Sequence, residues 1–230
     1  MFIGHYAVSY ALKSVDKEVS LGTLFLAVQF VDILFFPLTL LGIERFRLLK
    51  NFTQSTHFDL QYMPYSHSLL ATFFWGLACL ILMLFLNSKR KLRIAAIVAI
   101  AVMSHWFLDL LVHTPDLPIS IHSTSTKVGF GLWNHAWATY LLEAMLLVVG
   151  LFLYFRSAAS HSRVKKIGMM IFAAVLLAIN WLNIFGELSA TDTETSLAIT
   201  TTIAYLVIAL IAYVLDYTSS PAASFRKKPV

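Results

Sequence analysis

The segment 94–113 is an apolar run whose last part carries His105, Asp109 and His113 at four-residue intervals before Thr114-Pro115-Asp116 cuts it off. On a helix that spacing aligns the three side chains in one stripe. An unpaired ionised group in hydrocarbon costs roughly 2.5 to 3.5 kcal/mol on insertion scales, so the fold must bring Asp109 a compensating partner. Four residues rise about 6 Å along a helix axis, which lets the His105 imidazole and the Asp109 carboxylate share one metal ion. His113, about 12 Å from His105 by the same rise, is expected to serve only a second ion beside Asp109.

The surroundings make this a membrane problem. A mean hydropathy of +0.76, with 59% hydrophobic and 13% charged residues over 230 positions, excludes an ordinary soluble domain. Apolar segments lie near 21–36, 67–86, 94–113, 136–155, 167–187 and 198–216. Most approach the roughly 20 residues that a spanning helix needs. They predict an all-α polytopic membrane protein of six transmembrane helices in one domain, with three spans in 136–230. Pro37 disfavours helix at the residue before it, so the first span is expected to be short, with 38–43 at the interface. Residues 2–12 are too few to cross and predict a half-length re-entrant helix that turns at 13–20 and packs back on the first span. The N-terminus lacks the basic region and cleavage site of a removable signal peptide. The lone Cys79 supports neither a disulfide framework nor a cysteine metal site.

The net charge of +5 comes from short basic clusters between apolar runs, which fits the positive-inside rule better than nucleic-acid binding. Counted by loops, thirteen lysines and arginines fall with the two termini and four on the other side. Both termini are therefore expected in the cytoplasm. In this topology His67 opens the second span on the membrane side where Asp109 and His113 close the third. His5 and Asp32 rise roughly 12 and 18 Å above the cytoplasmic turn, to similar depth. Glu143, Asn180 and Asn183 fall in the same leaflet.

The candidate ligands are therefore His5, Asp32, His67, His105 and Asp109, with His113 beside them. Imidazole and carboxylate without thiolate suit zinc, manganese or iron, and such ions activate water for attack on a phosphoryl or acyl centre. Asp109 and Asp32 are the candidates for general base, and the sequence does not choose between them. Plainer readings stand alongside. His105 and Asp109 also suit an interhelical hydrogen-bonded pair, Asp32 a proton relay, Gln29 a supporting partner or helix glue, and Glu143 either the site or an interhelical bond. His57, His122, His135 and His161 read as interfacial histidines. Loop 114–135, with Pro115, Pro118, Gly129 and Gly131, suggests a lid whose cation, Lys127, is more simply a solvated loop charge than a phosphate partner.

Taken in order, His5, the segment Gln29-Phe30-Val31-Asp32-Ile33-Leu34-Phe35-Phe36-Pro37, the segment Pro64-Tyr65-Ser66-His67-Ser68 and the segment Ser104-His105-Trp106-Phe107-Leu108-Asp109 resemble the YdjM-like bacterial inner-membrane proteins described as metal-dependent hydrolases. The resemblance covers roughly residues 1–135. The motif order is also similar to zinc-dependent phospholipase C. The resemblance implies a multi-pass protein of the bacterial inner membrane with an outward-facing site. It also implies a divalent metal, zinc foremost, and a lipid phosphoester or other membrane-associated substrate. The departures are specific. Some members carry Asp-x-Asp-His-Pro where this chain has Asp32-Ile33-Leu34 followed by Phe36-Pro37, and a histidine where it has Tyr62, for which His57 is a candidate substitute. His135 is followed by Thr139 rather than a glutamate. A metal-binding protein without hydrolase activity and a transporter or permease are the alternatives. A di-iron oxygenase fits less well, since it would want more histidine pairs.

Overall fold

The computed structural model describes residues 1–85, 91–122, 124–157 and 163–217. Its helices are α1 (Gly4–Val15), α2 (Leu21–Val28), α3 (Phe30–Leu40), the single turn α4 (Pro64–His67), α5 (Leu69–Leu84), α6 (Lys91–Val112), α7 (Ala136–Ser157), α8 (Arg163–Phe185) and α9 (Glu194–Tyr217). Two small antiparallel ribbons sit in the loops: β1 (Arg45–Leu48) with β2 (Phe58–Tyr62), and β3 (Leu117–Pro118) with β4 (Lys127–Val128).

The all-α membrane class is found, but six equal spans are not. Among the described residues four helices, α6 to α9, are long and apolar enough to cross a membrane. The stretch read as the first span is two helices, α2 and α3, bent by 52° at Gln29, and counts as a fifth span only if the pair is taken together. At the bend Gln29 turns its side chain out of the helix and donates from Nε2 to the carbonyl of Phe2 at 3.2 Å. Pro37 does not end the helix as expected but lies inside α3, near its C-terminus. There its missing N–H costs one helical bond. The stretch read as the second span is α4 followed by α5. With 16 residues, α5 is about 24 Å long, short of the roughly 30 Å hydrocarbon core.

Local signals place several of these ends. Ser20 and Ser68 have extended backbones, and their hydroxyls accept from Thr23 N and Ala71 N, capping α2 and α5. The N-terminus of α1 is capped from another helix, where Glu143 Oε2 accepts from Phe2 N at 2.9 Å and Gly4 N at 3.0 Å. Of the two readings of Glu143, this is the interhelical one. The short helix expected at the N-terminus exists, yet its main neighbour is α7 rather than the first span. Gly150 lets the two backbones meet, since a side chain there would collide with Ala7.

Around α1 the core is aromatic. Tyr6 stacks on Phe25 at 4.3 Å, Tyr10 meets Phe25 edge-on, and Tyr154, Phe172 and Leu176 close over them. A second cluster, including Phe35, Phe36, Phe46, Met63, Trp106 and Tyr205, packs beside the polar site. Large apolar side chains such as Phe74, Leu141, Leu182 and Leu210 remain exposed on the outer helix faces. Such a surface suits lipid.

Candidate metal centre

Three helices, α1, α4 and α6 with the residue that follows it, deliver four imidazoles to one point. His5 comes from the first turn of α1, His67 from α4, His105 from α6, and His113 from the residue after α6. All four are buried. They meet Asp109 of α6 and Asp32 of α3. His5 Nε2 lies 3.1 Å from Asp109 Oδ1, and His105 Nε2 lies 3.0 Å from Asp109 Oδ2 and 3.7 Å from Asp32 Oδ1. His67 Nε2 lies 3.1 Å from Asp32 Oδ1 and 4.0 Å from Asp109 Oδ2. The amino group of Met1 is 2.6 Å from Asp109 Oδ1.

The six residues singled out from sequence are thus neighbours. Among the described residues two trios have ligand atoms within 4.8 Å of one another: His5, His105 and Asp109, and Asp32, His67 and His105. His113 belongs to neither trio, but its Nε2 is 3.4 Å from Asp109 Oδ2. Asp109 sits between His105 and His113, and both lean toward the same oxygen.

What the histidines do with their other nitrogen is informative. His105 Nδ1 is 2.6 Å from the carbonyl of Val28, which only accepts, so Nδ1 carries the hydrogen. Ser66 Oγ donates to Glu44 Oε2 at 2.6 Å and thereby accepts from His67 Nδ1 at 2.7 Å. His113 Nδ1 is 2.7 Å from Asp116 Oδ1. Three rings are therefore held from outside through Nδ1, with Nε2 aimed inward. This is how metal-ligating histidines are oriented by surrounding groups.

In the neutral imidazoles those inward Nε2 lone pairs face carboxylate oxygens. Either added protons or a shared cation must relieve the opposition. Protonating every ring is costly, because the His5 and His105 rings stack at 3.8 Å, nearly parallel, and two imidazoliums there would repel. His105 Nε2, 1% exposed as a residue, faces Asp109 Oδ2 at 3.0 Å but has no hydrogen to donate to it while Nδ1 carries the proton. A buried polar atom left this way costs about 1 to 3 kcal/mol, and a cation relieves it. The donor set of imidazole nitrogens and carboxylate oxygens fits a zinc-like divalent ion. Since Nδ1 of His105 is engaged, its one remaining nitrogen serves one trio at a time, and two ions would need a bridging carboxylate.

Several contributors were not read from the sequence. Glu44 is buried, accepts from Tyr65 N and Ser66 N, and holds Ser66 for His67. Burial pushes its carboxyl pKa up, against the hydrogen bonds from Ser66 and Tyr65. Tyr205 of α9 donates to Asp32 Oδ2 at 3.0 Å. The Trp133 ring lies against His113, tilted by 36° with centroids 4.1 Å apart. Only a histidine-adjacent serine, Ser66, gave a local hint; Glu44 and Tyr205 come from distant segments with no motif.

Other expectations fall elsewhere. Lys127 donates to the carbonyl of Gln61 and is exposed, as a loop charge would be. His57 accepts from Asn51 N and contacts the carbonyl of Gly186, and with His122 and His135 it stays outside both trios. His161 lies outside the described residues. Asn180 is buried in α8, and Asn183 lines a cavity of about 440 Å³ that opens onto Asp32, His67, Asp109 and His113. No family model, curated protein or solved structure matches this chain.

Proposed function

We propose that this chain is a membrane-embedded, metal-dependent hydrolase acting on a lipid phosphoester or a related membrane-associated substrate. The observation that carries the reading is the convergence of externally oriented histidine Nε2 atoms on Asp109 and Asp32. His5, His105 and Asp109 would hold the ion, or Asp32, His67 and His105 in the alternative trio, with His113 as an accessory ligand. Zinc suits the donor set best, ahead of manganese and iron. A divalent ion bound there supplies a positive centre that acidifies water and polarises a phosphoryl or acyl oxygen.

The two carboxylates divide the work. The Asp109 side chain is 2% exposed and surrounded by histidines, which suits a holding role. The Asp32 side chain is 14% exposed, faces the cavity and has Tyr205 fixing its second oxygen, so it is the group placed to take a proton from water. The lysine and arginine distribution supports cytoplasmic termini and a site facing outward, and the YdjM-like resemblance implies the bacterial inner membrane.

Metal analysis of purified protein tests the reading together with hydrolysis of phosphatidic acid in vesicles. Zinc or manganese in the protein and metal-dependent turnover are expected. Iron would favour an oxygenase, and a protein that binds no divalent metal would remove the hydrolase reading. Accessibility reporters at 90 and 160 are expected inside and those at 125 and 192 outside; the reverse at 125 and 192 would overturn the outward site.

A further inference from the structure

The helices α8 and α9 are consecutive and antiparallel, yet they are joined at one end and parted at the other. Lys165 at the start of α8 ties to Asp216 at the end of α9, with Nζ 3.2 Å from Oδ1. At the opposite end both helices line the cavity, α8 through Ile179, Leu182 and Asn183, α9 through Thr200, Thr201 and Ala204. The α9 residues are small, and Leu182, Asn183, Thr200 and Ala204 are exposed. Inside, the cavity runs over Phe35 and Phe36 to Asp32 and His67. It is thus an apolar slot between two membrane-crossing helices, with its polar end at the candidate metal centre. Its lining includes Glu187 and Asp192 but no lysine or arginine.

We propose that this slot is a lateral portal, through which an acyl chain of a bilayer lipid passes between α8 and α9 while its head group stands at the His/Asp cluster. The proposal rests on the hydrolase reading and extends it to the substrate's route and charge. The chain is recognised by the apolar walls. The lining offers no lysine or arginine, and its Met1 ammonium is already paired with Asp109 at 2.6 Å, so an anionic head depends on the bound ion for its positive partner and an uncharged head does not. A water-soluble phosphoester would gain nothing from the slot.

Photo-crosslinking tests this with two probes in phosphatidylcholine vesicles containing the full chain, diacylglycerol and phosphatidic acid, each bearing a diazirine on the acyl tail. Phe35 and Phe36 are 2% and 6% exposed and so report on the slot rather than the outer surface. Labelling of these two by diacylglycerol is expected with or without chelator, and by phosphatidic acid only with zinc present. Ala204→Trp or Thr200→Trp should cut the labelling about tenfold, the loss of roughly two buried methylenes, with metal content unchanged. Leu206→Trp, on an exposed α9 position outside the cavity lining, should leave it intact. Absence of label at Phe35 and Phe36, or label insensitive to both cavity substitutions while metal is retained, overturns the portal. A chain that binds no metal but is labelled by diacylglycerol in this pattern upholds the portal and refutes the hydrolase reading instead.

Discussion

Two buried charge networks occupy opposite ends of α1 and α9, and they are built on opposite terms. At one end Lys13 places its three donors on the carbonyls of Lys17 and Val19 and on Asp216 Oδ2, the last at 2.8 Å, while Asp216 also accepts from Leu21 N and Lys165. Ammonium and carboxylate match there, and the network pins the ends of α1, α2, α8 and α9 together. At the other end His5, His67, His105 and His113 face Asp32 and Asp109, where the Met1 ammonium pairs with one oxygen of Asp109 at 2.6 Å and no lysine or arginine is in contact among the described residues. The first network is complete as a structural clamp. The second leaves lone pairs opposed, which is the condition of a site that expects a cation.

The contrast breaks most visibly at Asp216. Asp216→Ala removes the carboxylate shared by two buried lysines and is expected to cost about 3 to 5 kcal/mol of stability in denaturant unfolding, while the folded fraction keeps its metal. Unchanged stability would mean that the clamp is not structural. Asp109→Asn is the converse. It keeps the shape of a hydrogen-bonded pair but removes the charge, and metal affinity should fall roughly a hundredfold, about 2.7 kcal/mol, while the metal-free protein also loses stability because the buried Met1 ammonium loses its ion-pair partner. Retained metal after that change would assign His105 and Asp109 to structure.

Smaller effects sharpen the comparison. Ser66→Ala leaves every ligand in place but unties His67 from Glu44, and titration with zinc should show about tenfold weaker binding, the lower end of what such supporting groups contribute. An unchanged affinity would limit His67 to packing. Glu187→Gln removes an exposed pair with Lys50, whose side chains are 61% and 85% exposed for lysine and glutamate, and thermal unfolding should register less than about 0.5 kcal/mol. A larger loss would mean that the loop after α8 is held by more than this pair.

The candidate site was legible where chemistry leaves a local trace. A four-residue interval on an apolar helix signals a stripe whatever surrounds it, and the leaflet argument brought His5, Asp32 and His67 to the depth of Asp109. It failed for span count, because hydropathy measures apolar content and not straightness. The 21–36 segment is apolar enough to cross, and only its packing reveals the bend at Gln29. Axial spacing put His113 beside Asp109 and apart from the ion of His105, and His113 does contact Asp109 while belonging to neither trio.

The sequence by itself determined a helical membrane protein with buried imidazoles and carboxylates, because a bilayer offers backbone polar groups no other partner and makes each intramembrane charge expensive. Tertiary structure decided which groups meet and how they are oriented: Glu44 and Ser66 behind His67, Val28 behind His105, Tyr205 from α9 on Asp32, and α8 parted from α9 over the cavity. Those partners lie 1 to 173 residues apart along the chain. No periodicity encodes such pairings, which follow from how the helices pack.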